Sequence, residues 1–121
     1  MMDDHELLRY AYAAFNARNI DAALATMHPG VVWANGMEGG TVQGHQGVRE
    51  YWTRQWTLID PHVDPVGFAP LPDGRIAVDV HAVVKDREGK VLADHQVQHV
   101  YRIEDCLVRS MEIVEEPAAL A

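Results

Sequence analysis

Residues 75–103 read RIAVDVHAVVKDREGKVLADHQVQHVYRI. Two long runs rich in valine, isoleucine and alternating polar residues flank Arg87-Glu88-Gly89. That pattern is a β-hairpin, and a three-residue loop with glycine in the left-handed position is a favoured connection. It sets Asp86 opposite Lys90, a pairing worth a few tenths to about 1 kcal/mol. A longer loop would set Lys85 against Lys90, so the first register is preferred. It places Val83 opposite Ala93, His81 opposite His95, Asp79 opposite Val97 and Ala77 opposite His99. Those residues share one face, with Tyr101 beyond them. The other face carries Ile76, Val78, Val80, Ala82, Val84, Leu92, Gln96 and Val100. Both faces are mixed, so each must meet something.

Upstream, residues 4–18 form a helix, because Leu8, Ala11, Tyr12 and Phe15 fall on one stripe. Asp3 with Glu6 makes a capping box. Ile20, Ala23, Leu24 and Met27 repeat the spacing, so 20–27 is a second short helix that His28-Pro29-Gly30 stops. Residues 31–60, VVWANGMEGGTVQGHQGVREYWTRQWTLID, hold all three tryptophans. They read as a strand over 31–35, a glycine-rich loop over 36–44 and a helix over 47–59. Prolines 65 and 70 make 63–71 a bent or edge strand. Glu104-Asp105-Cys106 is a tight turn before a last strand at 107–114. The tail from 115, EEPAALA, should fray. This order predicts a single α+β domain with an ordered core at 4–114 and helices packed on one side of a curved sheet.

The bulk composition narrows the function. Asp plus Glu number 18 against 10 Lys plus Arg, a net charge of -8. Such a surface repels phosphate backbones and anionic lipid, so nucleic acid and membranes are not the expected partners. No apolar run reaches the ~20 residues of a membrane span. The acidic start MMDDHELL does not read as a signal peptide. One cysteine, Cys106, allows no internal disulfide and suits a reducing cytoplasm.

The order of elements, with FNARNIDAALATMHPGVVW, GHQGVREYW and HVYRIEDCLVRSMEI, resembles the nuclear transport factor 2-like superfamily in its SnoaL-like branch. The resemblance implies a conical half-barrel: a strongly bent, mainly antiparallel sheet wrapped around three N-terminal helices and a deep pocket. It also implies homodimers through the outer sheet face, here the face with Val78, Val80 and Val100. Members include ketosteroid isomerase, polyketide cyclases, epoxide hydrolases, dehydratases and inert binding modules, so fold does not settle function. The isomerase's aspartate base matches Ala34 or Asn35, which cannot serve. Its oxyanion-hole tyrosine matches Ala11, flanked by Tyr10 and Tyr12. Its protonated aspartate matches His99. Where relatives usually complete the last turn with glycine, Cys106 stands, at a cost of roughly 1 kcal/mol if left-handed.

The candidate catalytic pair is His99 with Asp79. In the chosen register they are diagonal neighbours within ~7–8 Å, which lets a carboxylate orient an imidazole for general base work. The competing reading is a half-buried histidine bonded to a carbonyl or to Tyr51. His81 and, with less support, His95 are candidate rim residues. Trp33, Tyr51, Trp52 and Trp56 could stack on a flat ligand or pack the core. Val97 and Tyr101 share the His99 face. Asn35, at the loop mouth with Met37 and Glu38, could donate to an oxyanion or shape an Asn-Gly turn. No metal is expected: His95 and His99 lie about 13 Å apart along a strand, and His81 with His95 is too few ligands. The glycines do not make a phosphate loop, no nucleophile motif is present and no cofactor is expected. The reading is a cofactor-independent isomerase, cyclase or dehydratase acting on an apolar, carbonyl-containing or polycyclic molecule, or else a binding or dimeric interaction module of the same shape.

Overall fold

The first helix starts where its cap predicts. The Asp3 carboxylate accepts the Glu6 N–H at 2.8 Å, and the Glu6 carboxylate accepts the Asp3 N–H at 3.2 Å. This helix, α1 (Asp4–Asn16), buries Leu7, Leu8, Tyr12 and Ala14. The chain reverses at Arg18, whose φ is 62°. Arg18 then ties the helix end to later structure, donating to Asp60 and to the carbonyl of Pro61 and lying over the Trp56 ring. Asn19 caps α2 (Ile20–Leu24) by accepting the Ala22 N–H at 3.1 Å. This second helix is shorter than the spacing suggested. The Thr26 carbonyl accepts from Val108 N–H at 2.8 Å, and Met27 already pairs beside Val108 in the sheet. A sheet bond takes over before another helical turn can close.

The computed structural model describes residues 2–36 and 38–115. Met37 and the tail beyond Glu115 lie outside them. The remaining elements are β1 (Met27–Ala34), β2 (Thr41–Gln43), α3 (Gly44–Leu58), β3 (Ile59–Pro70), β4 (Ile76–Asp86), β5 (Val91–Glu104) and β6 (Leu107–Glu115). Together the strands form a curved, unclosed sheet in the order β2-β1-β6-β5-β4-β3, with β1 parallel to β6 and the other pairs antiparallel. Strand β2 lies in the stretch expected to be loop. Gly39 and Gly40, at φ 85° and 74°, turn the chain back so that Val32 meets Gln43 and Ala34 meets Thr41. The proline-bearing β3 is an edge strand, with its register broken around Val66. Three helices sit inside the bend, which makes the conical α+β fold.

The β4–β5 hairpin decides which side chains face those helices. Its turn is the expected one: Asp86 N–H donates to the Lys90 carbonyl at 2.8 Å, and Gly89, at φ 94°, donates to Asp86 at 3.1 Å. Lys85 then pairs with Val91, but Val84 pairs with Ala93. Leu92 is therefore one extra residue, a β-bulge. Beyond it every expected pairing slips by one: Val78 meets His99, Val80 meets Val97 and Ala82 meets His95. A slip of one residue carries a strand's side chains to the opposite face. The inner face thus collects Ile76, Val78, Val80, Ala82 and Val84 with His95, Val97, His99 and Tyr101. Asp79 and His81 go outside.

Magnitudes explain why the bulge forms. The Asp86–Lys90 pairing is worth at most about 1 kcal/mol. Burying Val97 and Tyr101 against the same apolar face as Val78 and Val80 is worth roughly 1.5–3 kcal/mol for each large side chain. Keeping both requires one unpaired residue. The correction also removes the expected dimer face. Val78 and Val80 are 0% exposed and belong to the core with Leu8, Val31, Val48 and Val108. Val100, opposite Ala77, is the one member of that trio on the outer face. Among the described residues, no helix is long and apolar enough to cross a membrane.

Candidate functional site

A cavity of about 270 Å³ opens between α1, α3 and the inner face of β5. Its walls are aromatic. Phe15 and Trp52 meet edge to face with ring centroids 5.1 Å apart, and Trp33 meets Trp52 the same way at 5.6 Å. Among the described residues, no carboxylate, lysine or arginine lines it.

The polar feature of the wall is a chain of three rings. The Tyr101 hydroxyl donates to the Tyr12 oxygen at 2.8 Å. The Tyr12 hydroxyl stands 2.7 Å from Nδ1 of His99, with the two ring planes nearly parallel at 7°. Removal from water lowers the His99 pKa from 6.5 to about 4, so this imidazole is neutral at pH 7. Burial raises the pKa of Tyr12 and of Tyr101, so both keep their protons. The protons then have one consistent arrangement. Tyr12 has accepted from Tyr101 and gives its own proton to Nδ1, which leaves the histidine proton on Nε2. His99 lines the cavity, and its Nε2–H is a neutral donor on the wall. A histidine whose lowered pKa keeps it neutral can polarise a carbonyl, as known isomerase sites demonstrate.

A second polar group lies on α3. The Tyr51 oxygen accepts Gly36 N–H at 3.1 Å and Gln55 Nε2–H at 3.4 Å. This fixes the start of the glycine loop over the cavity.

The SnoaL-like domain profile matches residues 8–111. The chain belongs to the SnoaL-like domain family. TerC, co-crystallised with polyporic acid, is 28% identical over 96% of this chain and 93% of its own, with a TM-score of 0.81. An NTF2-like protein of unknown function from Burkholderia pseudomallei is also 28% identical, over 99% and 95%, with a TM-score of 0.82. A protein with a ketosteroid isomerase-like fold from Catenulispora acidiphila, in complex with trimethylamine, is 14% identical over 92% and 85%, with a TM-score of 0.75. This last likeness shows the fold alone. No curated protein matches the sequence.

In this SnoaL-like protein the fold brings Trp33, Tyr51, Trp52, Val97, His99 and Tyr101 to the cavity wall. It does not bring the others there. Asp79 lies on the outer face, where its carboxylate accepts from Gln98 at 3.2 Å, so the expected dyad with His99 is not formed. His81 is also outside and pairs with Asp94 at 2.7 Å. The bulge at Leu92 is the cause of both. Asn35 closes a turn: its amide donates to the Glu38 carboxylate at 2.9 Å and accepts Glu38 N–H at 2.8 Å. Trp56 packs behind the wall against Phe15 and Trp52. His95, the less favoured of the rim histidines, lines the cavity and is exposed at its mouth.

Tyr12 was missed as a site residue. The family match fell on Ala11, one residue away, which also lines the cavity. One helical step turns a side chain by about 100°, and the apolar stripe through Leu8, Tyr12 and Phe15 was the signal that Tyr12 points inward.

Proposed function

We propose that this SnoaL-like protein binds a small, largely apolar molecule bearing a conjugated carbonyl, aromatic or polycyclic, and moves a proton next to that carbonyl. It would act without a cofactor, as an isomerase, cyclase or dehydratase. The observation that carries this reading is the Tyr101–Tyr12–His99 chain in a mainly apolar, aromatic wall. Nε2–H of His99 would hold the carbonyl oxygen. As negative charge develops there, a preorganised donor in a site without bulk water stabilises it. The tyrosines keep the imidazole in the donating tautomer. With its pKa near 4, His99 acts as donor and not as the base. The chain ends on buried Tyr101, so it polarises and does not relay protons to solvent. The complex of TerC with polyporic acid supports a ring-bearing, oxygenated ligand.

One observation favours a second reading, a binding module without chemistry: among the described residues no carboxylate lines the cavity.

Tryptophan fluorescence tests the site, because Trp33 and Trp52 line it. Octalone, a bicyclic conjugated enone, and polyporic acid should both quench the emission. His99→Leu should weaken octalone binding about tenfold, the loss of roughly one hydrogen bond. Equal affinity in His99→Leu would remove His99 as the carbonyl donor.

A further inference from the structure

We infer that Gln55 is a specificity residue of this cavity, its amide receiving a ligand hydroxyl on the α3 wall. The inference rests on the proposed reading in taking His99 as the carbonyl donor, and it adds what the ligand presents to α3.

The sequence of α3 gives the first sign. Val48, Tyr51, Trp52 and Gln55 fall at i, i+3, i+4 and i+7, the spacing of one helical face. Val48, Tyr51 and Trp52 are buried. The next place on that face would ordinarily take an apolar side chain, because glutamine is mostly an exposed residue. Here glutamine stands there and lines the cavity beside Tyr51 and Trp52.

The two ends of its amide are in different situations. Nε2 donates to the Tyr51 oxygen at 3.4 Å. Oε1 is buried with no hydrogen-bond partner. The great majority of buried polar atoms are bonded, so an exception needs an explanation. Among the described residues one other buried side-chain atom shares this condition, Nε1 of Trp56, and Trp56 packs behind the wall. The other polar side chains of the cavity do not serve Oε1. Tyr101 gives its proton to Tyr12, and Tyr12 gives its own to His99. The Tyr51 oxygen accepts from Gly36 and from Gln55 itself. His95 stands exposed at the mouth. The donor for Oε1 therefore arrives with the ligand.

A hydroxyl suits this place. It both donates and accepts, so it satisfies the amide whichever end faces the cavity. A ligand without that hydroxyl fills the cavity and leaves the Gln55 amide buried and unpaired. A site built to bond a hydroxyl rejects the analogue that lacks it. The cavity thus separates two molecules of one skeleton that differ by a single hydroxyl.

The probes are α-tetralone, a bicyclic aryl ketone, and its phenols hydroxylated at each of the ring positions that cannot bond the ketone's own carbonyl. Titration calorimetry reads their affinities with the phenols neutral. Wild type should bind one of these phenols about tenfold tighter than α-tetralone, the gain from one hydrogen bond to a buried acceptor. Gln55→Met, similar in length but without the amide, should bind that phenol about tenfold more weakly and hold α-tetralone within about twofold. Its retained affinity for α-tetralone shows that the variant is folded. The wild-type comparison needs no variant: phenols bound no tighter than the parent ketone overturn the inference. So does a preference that survives in Gln55→Met. An α-tetralone affinity unchanged in His99→Leu would instead defeat the carbonyl-donor reading, whatever Gln55 does.

Discussion

The hydroxyl of Tyr12, on the first helix, stands 2.7 Å from Nδ1 of His99, on the fifth strand. Tyr12 also accepts from Tyr101 at 2.8 Å, so one side chain holds both neighbours in place.

Tyr12→Phe should therefore do more than delete one hydroxyl. It leaves the buried Tyr101 hydroxyl without its acceptor and frees Nδ1 of His99. An orphaned buried polar group costs about 1–3 kcal/mol. The urea midpoint should fall accordingly, and octalone affinity should fall with it, because His99 loses its fixed tautomer. Unchanged stability would show that Tyr101 finds another acceptor.

The lowered pKa of His99 fixes a pH window. The unfolded chain protonates this histidine near 6.5, the folded protein only near 4. Between those values the unfolded state binds more protons, so stability falls as pH drops from 6.5 to 4 and is unaffected by this group above that window. The span corresponds to a loss on the order of 3 kcal/mol. Urea midpoints measured across the window should be flatter for His99→Gln than for wild type by that amount. Parallel pH curves would show that His99 is not held neutral.

Deleting Leu92 removes the bulge and forces a choice. If the turn at 86–90 is kept, His95, Val97, His99 and Tyr101 rotate outward. If the pocket is kept, the turn must give way. The apolar side chains outweigh the turn pairing, so the turn should yield. Amide exchange at Gly89 should accelerate while tryptophan quenching by octalone survives. Loss of quenching with a protected Gly89 would reverse that order of energies.

Val80→Asp places an unpaired carboxylate at a position 0% exposed in the core. It should destabilise the fold by more than about 3 kcal/mol, seen as a collapsed urea midpoint or insoluble protein. A well-folded variant with altered sedimentation would instead return Val80 to a surface.

The helices and the last four strands were legible in the sequence because each follows from local rules: a cap at Asp3, a stripe through Leu8, Tyr12 and Phe15, a turn at Arg87-Glu88-Gly89; the conical shape was legible only through the resemblance to the nuclear transport factor 2-like superfamily. The aromatic wall was legible for the same reason, since Trp33, Tyr51 and Trp52 lie on one strand end and one helix face. Strand β2 was hidden, because Thr41-Val42-Gln43 is too short to show a period and takes its order from pairing with β1. Which residues of the hairpin line the cavity was hidden for a related reason. A turn specifies the register at its own end only. Which face of β5 looks inward is settled by the sum of apolar contacts along the whole hairpin, and one extra residue at Leu92 satisfies both. The sequence determined that His95, His99 and Tyr101 lie on one side of a strand. Tertiary packing alone decided that this side is the inside, that Tyr12 meets it there, and that Asp79 and His81 do not.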